Sequence, residues 1–493
     1  MPNAGKAVAS SSRTGQGIGW SRREFLHAGL TGLAGLGVWG RLPSGSAAEP
    51  RRTPSARDTS ASGKPNIILA MTDDQGWADV GYNGNKLIQT PTLDEMAAKG
   101  IRFNRFYAAA PVCSPTRGSC MTGRHPNRYG CFSWGYDLPL EEVTLAEALK
   151  AAGYATGHFG KWHLGGIPTV PGKRTRTNRG RRKHERPPHP GNQGFDEWFS
   201  YWNFFDVNPP AFHHNGQAVG PLKGDGSDIT VDRAVRWIRK TVARKQPFLA
   251  VVWFGNPHSP HRALDKDKGR YPKLDTKQQN YLGEITAIDR AMSQLRKALR
   301  DLGVEHDTML WFTSDNGGTR SANNGGLRGY KGSLWEGGVR VPGILEWPAR
   351  APRPFVTDVP ACTSDYYPTI LDLLDIDVPA QPKPIDGISL LPLIEGKMTR
   401  RPKPMAFEVR DGKGAVRWAT LVDNRYKLHV SKAGKGSRGG PAGVRVYDLV
   451  KDPAEKNDLA AQRPKIAAAM KAQLQQWQAS VQRSLAGEDY RPA

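Results

Sequence analysis

The chain has 493 residues, enough for one large α/β domain and a smaller appendage. Its 38% hydrophobic content supports a buried core, and its 55 Gly and 38 Pro, spread without a period, exclude a collagen-like or low-complexity organisation. A formal charge of +24 attracts polyanions, whether nucleic acid, anionic membrane or sulfated glycan, without choosing among them.

The first element is an export-type segment. Ser21-Arg22-Arg23-Glu24-Phe25-Leu26 leads into an apolar, Gly-rich stretch from Ala28 to Gly40, and Ser46-Ala47-Ala48 supplies small residues for cleavage. Paired arginines before a weakly hydrophobic core resemble a twin-arginine signal, so residues 1–48 read as a signal peptide with the twin-arginine export machinery as partner. The apolar stretch is too short to span a bilayer comfortably, so no stable membrane insertion is expected after cleavage; a retained anchor is the alternative. The expected location is periplasmic or extracellular. Residues 49–63 read as a disordered lead-in. Residues 1–48 carry five basic and one acidic side chain, so a chain beginning at Glu49 keeps +20. The four cysteines, Cys113, Cys120, Cys131 and Cys362, form no dense disulfide framework and are left unpaired.

Four apolar runs then each end in unusual polar residues. Ile67–Met71 reaches Thr72-Asp73-Asp74, and Tyr154–Phe159 reaches Gly160-Lys161-Trp162-His163. Phe248–Phe254 precedes Asn256-Pro257-His258, and Thr308–Phe312 delivers Thr313-Ser314-Asp315-Asn316-Gly317-Gly318. Short continuous apolar runs fit strands buried on both faces. Helical signals lie between them. Thr90 is placed to cap a helix from Pro91 to Gly100, and Thr144-Leu145-Ala146-Glu147 has capping-box spacing with Gly153 as stop. Tyr281, Ile285, Ile288, Met292, Leu295, Leu299 and Leu302 form one long apolar face ending at Gly303. The alternation predicts an α/β fold with a large, mainly parallel sheet flanked by helices, whose polar clusters converge at the carboxyl ends of the strands. Segments 417–422, 426–430 and 444–449, followed by a helix near 464–483, predict a smaller α+β unit with an antiparallel sheet. The expected division is 64–399 and 400–490.

Asp73, Asp74, Asp315 and Asn316 offer oxygen ligands only, which suits Ca²⁺ ahead of Mg²⁺ and argues against zinc. Each acidic residue could instead cap a following turn. Cys113-Ser114-Pro115-Thr116-Arg117 decides between these readings. It resembles the Cys-x-Pro-x-Arg signature of the type I sulfatases, in the alkaline-phosphatase-like superfamily, whose cysteine is oxidised to formylglycine (3-oxoalanine). The resemblance extends in order through Gly118–Arg124, Gly160–Gly165, Ser314–Gly318, Lys331–Arg340 and Tyr447-Asp448-Leu449, from about 65 to 460. One departure is Thr116, where many members carry Ser.

The resemblance implies a sulfuric ester hydrolase acting on an aryl sulfate or a sulfated small molecule or polysaccharide, with a formylglycine-generating enzyme needed for maturation. It implies Ca²⁺ on Asp73, Asp74, Asp315 and Asn316, with Asp315 also accepting a proton. Arg117 would steady the formylglycine diol, Lys161 and Lys331 would clamp sulfate, and His163 would hold the second hydroxyl. His258 would protonate the leaving oxygen, while His261 is either a substrate contact or a loop anchor. A sulfate ester resists attack because its oxygens are negative, so cations must neutralise it around a held nucleophile. Two hydroxyls on one carbon meet the need: one attacks sulfur and the other later expels sulfate.

Residues 173–186 contain eight Lys/Arg and one Glu and read as a polymer-binding loop or a solvated one. Trp198, Phe199, Tyr201, Trp202, Phe204 and Phe205 read as packing beneath the rim or as a sugar-stacking wall. Two other functions compete: a related phosphate or phosphonate ester hydrolase, and a non-catalytic polyanion binder. Nucleic acid is not the expected partner, since export and an acidic rim fit it poorly.

Overall fold

Four apolar runs build the middle of a ten-stranded sheet. In the computed structural model, which describes residues 63–167, 188–203, 207–411, 414–432 and 442–490, β1 (Asn66–Thr72), β4 (Ala155–Lys161), β8 (Phe248–Trp253) and β9 (Thr308–Ser314) lie parallel in the order β9-β1-β8-β4. The signal segment, the lead-in to residue 62, the basic segment 173–186, Phe204 and Phe205 fall outside the described residues. On one side β11 (Gly343–Glu346), β2 (Ile101–Phe103) and β12 (Phe355–Thr357) extend the sheet; on the other, β5 (Glu197–Tyr201), β6 (Phe212–His214) and β7 (Gln217–Gly220) do. β5 is parallel to β4 and β12 to β2, while the other added pairings are antiparallel. A three-stranded sheet joins β3 (Phe106–Tyr107), β10 (Arg340–Val341) and β13 (Ala361–Cys362).

Alternate residues of β1 enter different cores, because successive side chains point to opposite faces of a strand. Ile67, Leu69 and Met71 pack with residues of α2 (Cys113–Thr122) and α3 (Leu145–Ala151). Ile68 and Ala70 pack with residues of α1 (Pro91–Lys99), α4 (Gly226–Ala243) and α5 (Thr276–Asp301). Helices therefore cover both faces, as the continuous apolar runs predict. Thr144 makes the expected capping box with Glu147, and Gly303, at φ +67°, stops the segment after α5.

Thr90 departs from expectation. It occupies the cap position of α1, but its hydroxyl accepts from the Gly81 amide at 2.8 Å rather than from its own helix. The Asp289 carboxylate, on α5, takes the amides of Thr92 and Leu93 instead, at 3.1 and 2.8 Å.

Near the C-terminus β14 (Met405–Arg410), β15 (Val416–Val422), β16 (Tyr426–Ser431) and β17 (Gly443–Asp448) form an antiparallel sheet in sequence order. One face packs Leu421, Leu428 and Val446 on Met470 and Leu474 of α7 (Pro464–Leu485). The other packs Phe407, Trp418 and Tyr447 on Leu334, Trp335 and Val339, the last within α6 (Glu336–Val339). Segment 334–339 thus joins this sheet to the chain just beyond Lys331.

Candidate active site

Asp73 and Asp74 follow β1, Lys161 ends β4, His258 lies just past β8, and Asp315 and Asn316 follow β9. Parallel pairing carries all four segments to one rim, and backbone bonds fasten them there. The Asp73 amide donates to Asn256 O at 3.0 Å, the Asp315 amide to Thr72 O at 3.0 Å, and the Asp74 amide to Asp315 Oδ1 at 3.2 Å. Asp74 and His163 both adopt left-handed backbone, at φ +67° and +52°, which is uncommon outside glycine and concentrates at functional sites.

Cys113 is the first residue of α2, where the free amides of a helix start favour negative charge. Its sulfur and carboxylate oxygens of Asp73 and Asp315 lie within 4.8 Å of one another. Thr116, the departure noted above, is fully buried; its hydroxyl donates to Ala110 O at 2.8 Å and accepts from the Ala110 amide at 3.1 Å, fixing the approach to the helix.

Three cations stand against three carboxylates. Lys161 Nζ contacts Asp73 Oδ2 directly, Lys331 Nζ lies 2.5 Å from Asp74 Oδ1, and Arg117 Nη2 lies 2.7 Å from Asp315 Oδ2. Repulsion among the carboxylates is thus offset by side chains. The Arg117 guanidinium also sits 5.1 Å from the Trp253 ring centroid and donates to Lys161 O at 3.3 Å.

Burial would raise the Asp73 carboxyl, but Lys161 first, then His258, Arg117 and Lys331, hold it well below the usual range. Asp315 is pushed up to about 7 by burial and by the neighbouring Asp73 charge, against the pull of Arg117 and Lys161. Burial likewise raises the Cys113 thiol and lowers His163, which also faces Lys161. His163 is therefore a neutral imidazole, and neither of its ring nitrogens has a hydrogen-bond partner among the described residues. His258 is lowered, chiefly by burial. Its Nδ1 lies 2.6 Å from Ser259 O, which requires an Nδ1–H and leaves Nε2, 3.6 Å from Asp74 Oδ2, to exchange protons.

Asp73 Oδ1 and Asn316 Oδ1 are buried without hydrogen-bond partners among the described residues. Asn316 Nδ2 donates to Asp74 Oδ1 at 2.8 Å, so its oxygen is the atom left over. Together with Asp74 and Asp315 these atoms form an oxygen set that fits a hard dication.

The ten residues named from sequence, Cys113, Arg117, Lys161, His163, His258, Lys331, Asp73, Asp74, Asp315 and Asn316, gather at this one rim. His261 is held within its loop: Nδ1 meets Glu284 Oε2 at 3.0 Å while the Arg262 amide donates to Glu284 Oε1 at 2.7 Å. Trp198, Phe199 and Tyr201 are buried, consistent with packing rather than a sugar wall.

Sequence reasoning missed Trp134 and the buried Lys427 group. Trp134, 42% exposed, and Trp202, one of the aromatics read as a possible sugar-stacking wall, flank His163, with ring centroids 6.5 and 5.6 Å away. The Gly135 amide donates to Ser114 Oγ at 2.8 Å, tying the Trp134 turn to α2; no spacing in the sequence marks it. Behind Lys331, fully buried Lys427 of β16 bridges Glu336 and Glu455, at 3.0 Å to each. The Glu336 amide donates to Glu455 Oε2 at 2.6 Å, and Tyr107 donates to Glu336 Oε2 at 2.9 Å.

An open α/β sheet with buried carboxylates, cations and a cysteine at one helix start defines the alkaline-phosphatase-like class of ester hydrolases. Residues 65–376 match the family model described as Sulfatase, and residues 330–480 match that of the N-sulphoglucosamine sulphohydrolase C-terminal region. The N-acetylgalactosamine-6-sulfatase of Canis lupus familiaris is 32% identical over 378 residues, covering 69% of this chain and 67% of that protein. The ulvan-active sulfatase of Formosa agariphila is 30% identical over 417 residues, covering 80% and 77%. The crystal structure of Ps i-CgsB in complex with k-i-k-neocarrahexaose superposes with a TM-score of 0.74 at 28% identity, covering 84% of this chain and 92% of that one. The chain belongs to the sulfatase family and is an enzyme of that class, a hydrolase of sulfuric esters.

Proposed function

We propose that the protein is exported and releases sulfate from sulfated carbohydrates at the Cys113 site. The observation that carries this reading is the meeting of Cys113 with Asp73 and Asp315 beside Arg117, Lys161 and Lys331. Relatives that act on sulfated sugars by name, the N-acetylgalactosamine-6-sulfatase among them, support a carbohydrate substrate. The paired arginines of residues 1–48 support export through the twin-arginine route, and among the described residues no helix is long and apolar enough to cross a membrane. The division into catalytic residues 64–399 and an α+β region 400–490 belongs to the same proposal, supported by the separate antiparallel sheet β14–β17.

Cys113, oxidised to formylglycine by a generating enzyme, would supply a geminal diol as nucleophile. Asp73, Asp74, Asp315 and Asn316 would hold Ca²⁺, which neutralises ester oxygens. The three carboxylates and three cations sum to zero, so with a dication bound the site would carry +2, which the monoanionic sulfate ester lowers to +1 and the sulfate dianion formed on hydrolysis cancels. Lys161 and Lys331 place ammonium groups where sulfate oxygens would bind. Asp315, with its raised pKa, accepts the proton of the attacking hydroxyl. Arg117 holds that carboxylate in place through two donors on one oxygen. His163, neutral and with open ring nitrogens, holds the second hydroxyl at residue 113. His258 delivers a proton from Nε2 to the departing oxygen.

The direct test sets 4-methylumbelliferyl sulfate against the matching phosphate and a phosphodiester. Sulfate turnover should dominate, and intact-mass analysis should find the residue-113 species about 18 Da lighter than the thiol form. Preferential phosphate turnover by protein of unmodified mass would overturn the reading.

A further inference from the structure

Asp79 is 1% exposed, and among the described residues no cation pairs with its carboxylate. Three donors surround it instead. Oδ2 accepts the Gly76 amide at 2.8 Å and the Tyr281 hydroxyl, and Oδ1 accepts the Asn323 amide at 3.0 Å. The Asp79 amide returns to Gly76 O and the Ala78 amide to Asn323 O, each at 3.0 Å. Burial pushes the carboxyl up to about 7, against the pull of those donors. Burying a carboxylate without a counter-charge costs stability, so fold stability alone does not account for an aspartate here.

Each donor belongs to a different arm of the Cys113 site. Gly76 closes the turn that carries Asp73 and Asp74, and Gln75 within it is held as well. The Gln75 side chain accepts from Thr72 Oγ1 and donates to Asp79 O, both at 2.9 Å, while its amide donates to Ser314 Oγ at 3.0 Å. This turn needs fixing, because Asp74 sits at the left-handed φ of +67°. Asn323 begins the run to Lys331. There the Asn324 side chain donates to Gly329 O at 3.0 Å, and the Lys331 amide to Gly318 O at 2.9 Å. Tyr281, on α5, packs its ring edge-on against His261, centroids 4.9 Å apart, in the loop that carries His258. The segments approach closely: a β-carbon on Gly76 would stand 2.6 Å from Asn323 O and 2.7 Å from Asp79 Oδ2.

We infer that Asp79 is a positioning residue for the sulfatase reaction, setting the Asp73–Asp74 turn, the run to Lys331 and the His258 loop at one mutual geometry. The inference rests on the proposed Ca²⁺ reading of the site and deepens it. An amide keeps the shape of the carboxylate but has one acceptor oxygen, so in Asp79→Asn the Gly76 or the Asn323 amide faces another N–H. Tyr281→Phe removes one donor and keeps both the carboxylate and the ring. Asp289→Asn is the comparison, since that carboxylate also takes two backbone amides, at the start of α1. Full-length proteins are compared by Ca²⁺ calorimetry after chelation, by thermal melts, and by kinetics on 4-methylumbelliferyl sulfate at saturating Ca²⁺. Asp79→Asn should lose about 10- to 100-fold in both Ca²⁺ affinity and kcat, and Tyr281→Phe more than about threefold in both. Asp289→Asn should lower the melting temperature while both quantities stay within about twofold of wild type. Asp79→Asn with either quantity within about twofold of wild type overturns the inference, whatever its melting temperature. So does an Asp289→Asn whose losses match it. Where Asp79→Asn does not fold, Tyr281→Phe decides alone, and wild-type values in that variant are a refutation. A wild type that binds no Ca²⁺, or cleaves no sulfate ester, instead refutes the underlying reading, and the inference with it.

Discussion

Arg117 donates to a single oxygen of Asp315 from two nitrogens, Nε at 3.1 Å and Nη2 at 2.7 Å, with both side chains fully buried. The other oxygen, Oδ1, accepts the Asp74 amide, so both ends of this carboxylate are fixed. A lysine keeps the charge but not the fork. Arg117→Lys should therefore fold, yet lose about 100-fold in kcat, the scale set by a displacement near 1 Å at a reacting group. Steady-state kinetics beside a thermal melt check this; unchanged kcat would remove Arg117 from the positioning of Asp315.

Cys113→Ala deletes one sulfur from a buried site whose walls are held by other contacts. Turnover of 4-methylumbelliferyl sulfate should vanish while the circular dichroism spectrum and melting temperature stay close to wild type. Residual turnover above about one thousandth of wild type would mean that another nucleophile operates.

The unpartnered oxygens of Asp73 and Asn316 predict stabilisation by Ca²⁺ independent of turnover. Titrating Ca²⁺ into chelated protein to about one hundred times its Kd should add about 2.7 kcal/mol to unfolding stability. Asn316→Ala, which removes one of those oxygens, should weaken the response. A calorimetric scan unmoved by Ca²⁺ would contradict the assignment.

Lys427 holds two carboxylates, so Lys427→Met leaves Glu336 and Glu455 facing each other in a buried pocket. A cost of about 3–5 kcal/mol is expected in denaturant unfolding, as for other broken buried pairs. Less than about 1 kcal/mol would show that the pair accommodates its own charge.

Glu455 carries the pH dependence of this group. Burial and the Glu336 charge push it up to about 7, against Lys427, while Glu336 is held below its usual value. A carboxyl raised in the folded state binds its proton more tightly there than in the unfolded chain. Its contribution is therefore complete below its unfolded value and is lost as pH rises through about 7. Glu455→Gln should flatten the fall in stability between roughly pH 4 and 7. An identical slope in the variant would place the titration elsewhere.

Much of the site was legible because of what buried parallel strands require. With both faces covered, β1, β4, β8 and β9 carry no carboxylate or ammonium group before their ends, so Asp73, Lys161 and Asp315 stand out where those runs end. The unread parts depend on distant encounters. Lys427 and Glu336 are 91 residues apart, and neither lies in a pattern that announces a partner. β14, Met405–Arg410, was not singled out, since a short mixed segment becomes a strand only when β15 pairs with it. Thr90 carries a good cap residue's chemistry, yet Asp289 from another helix satisfied those amides first.

Gly160 lies in β4 opposite Trp253 of β8. At φ +101°, a β-carbon there would stand 1.9 Å from the Trp253 carbonyl oxygen, inside the backbone of β8. No shift of a flexible side chain could relieve that collision. The position immediately before Lys161 is thus closed to every other amino acid, alanine included. Any descendant that keeps this floor must keep a residue without a side chain there.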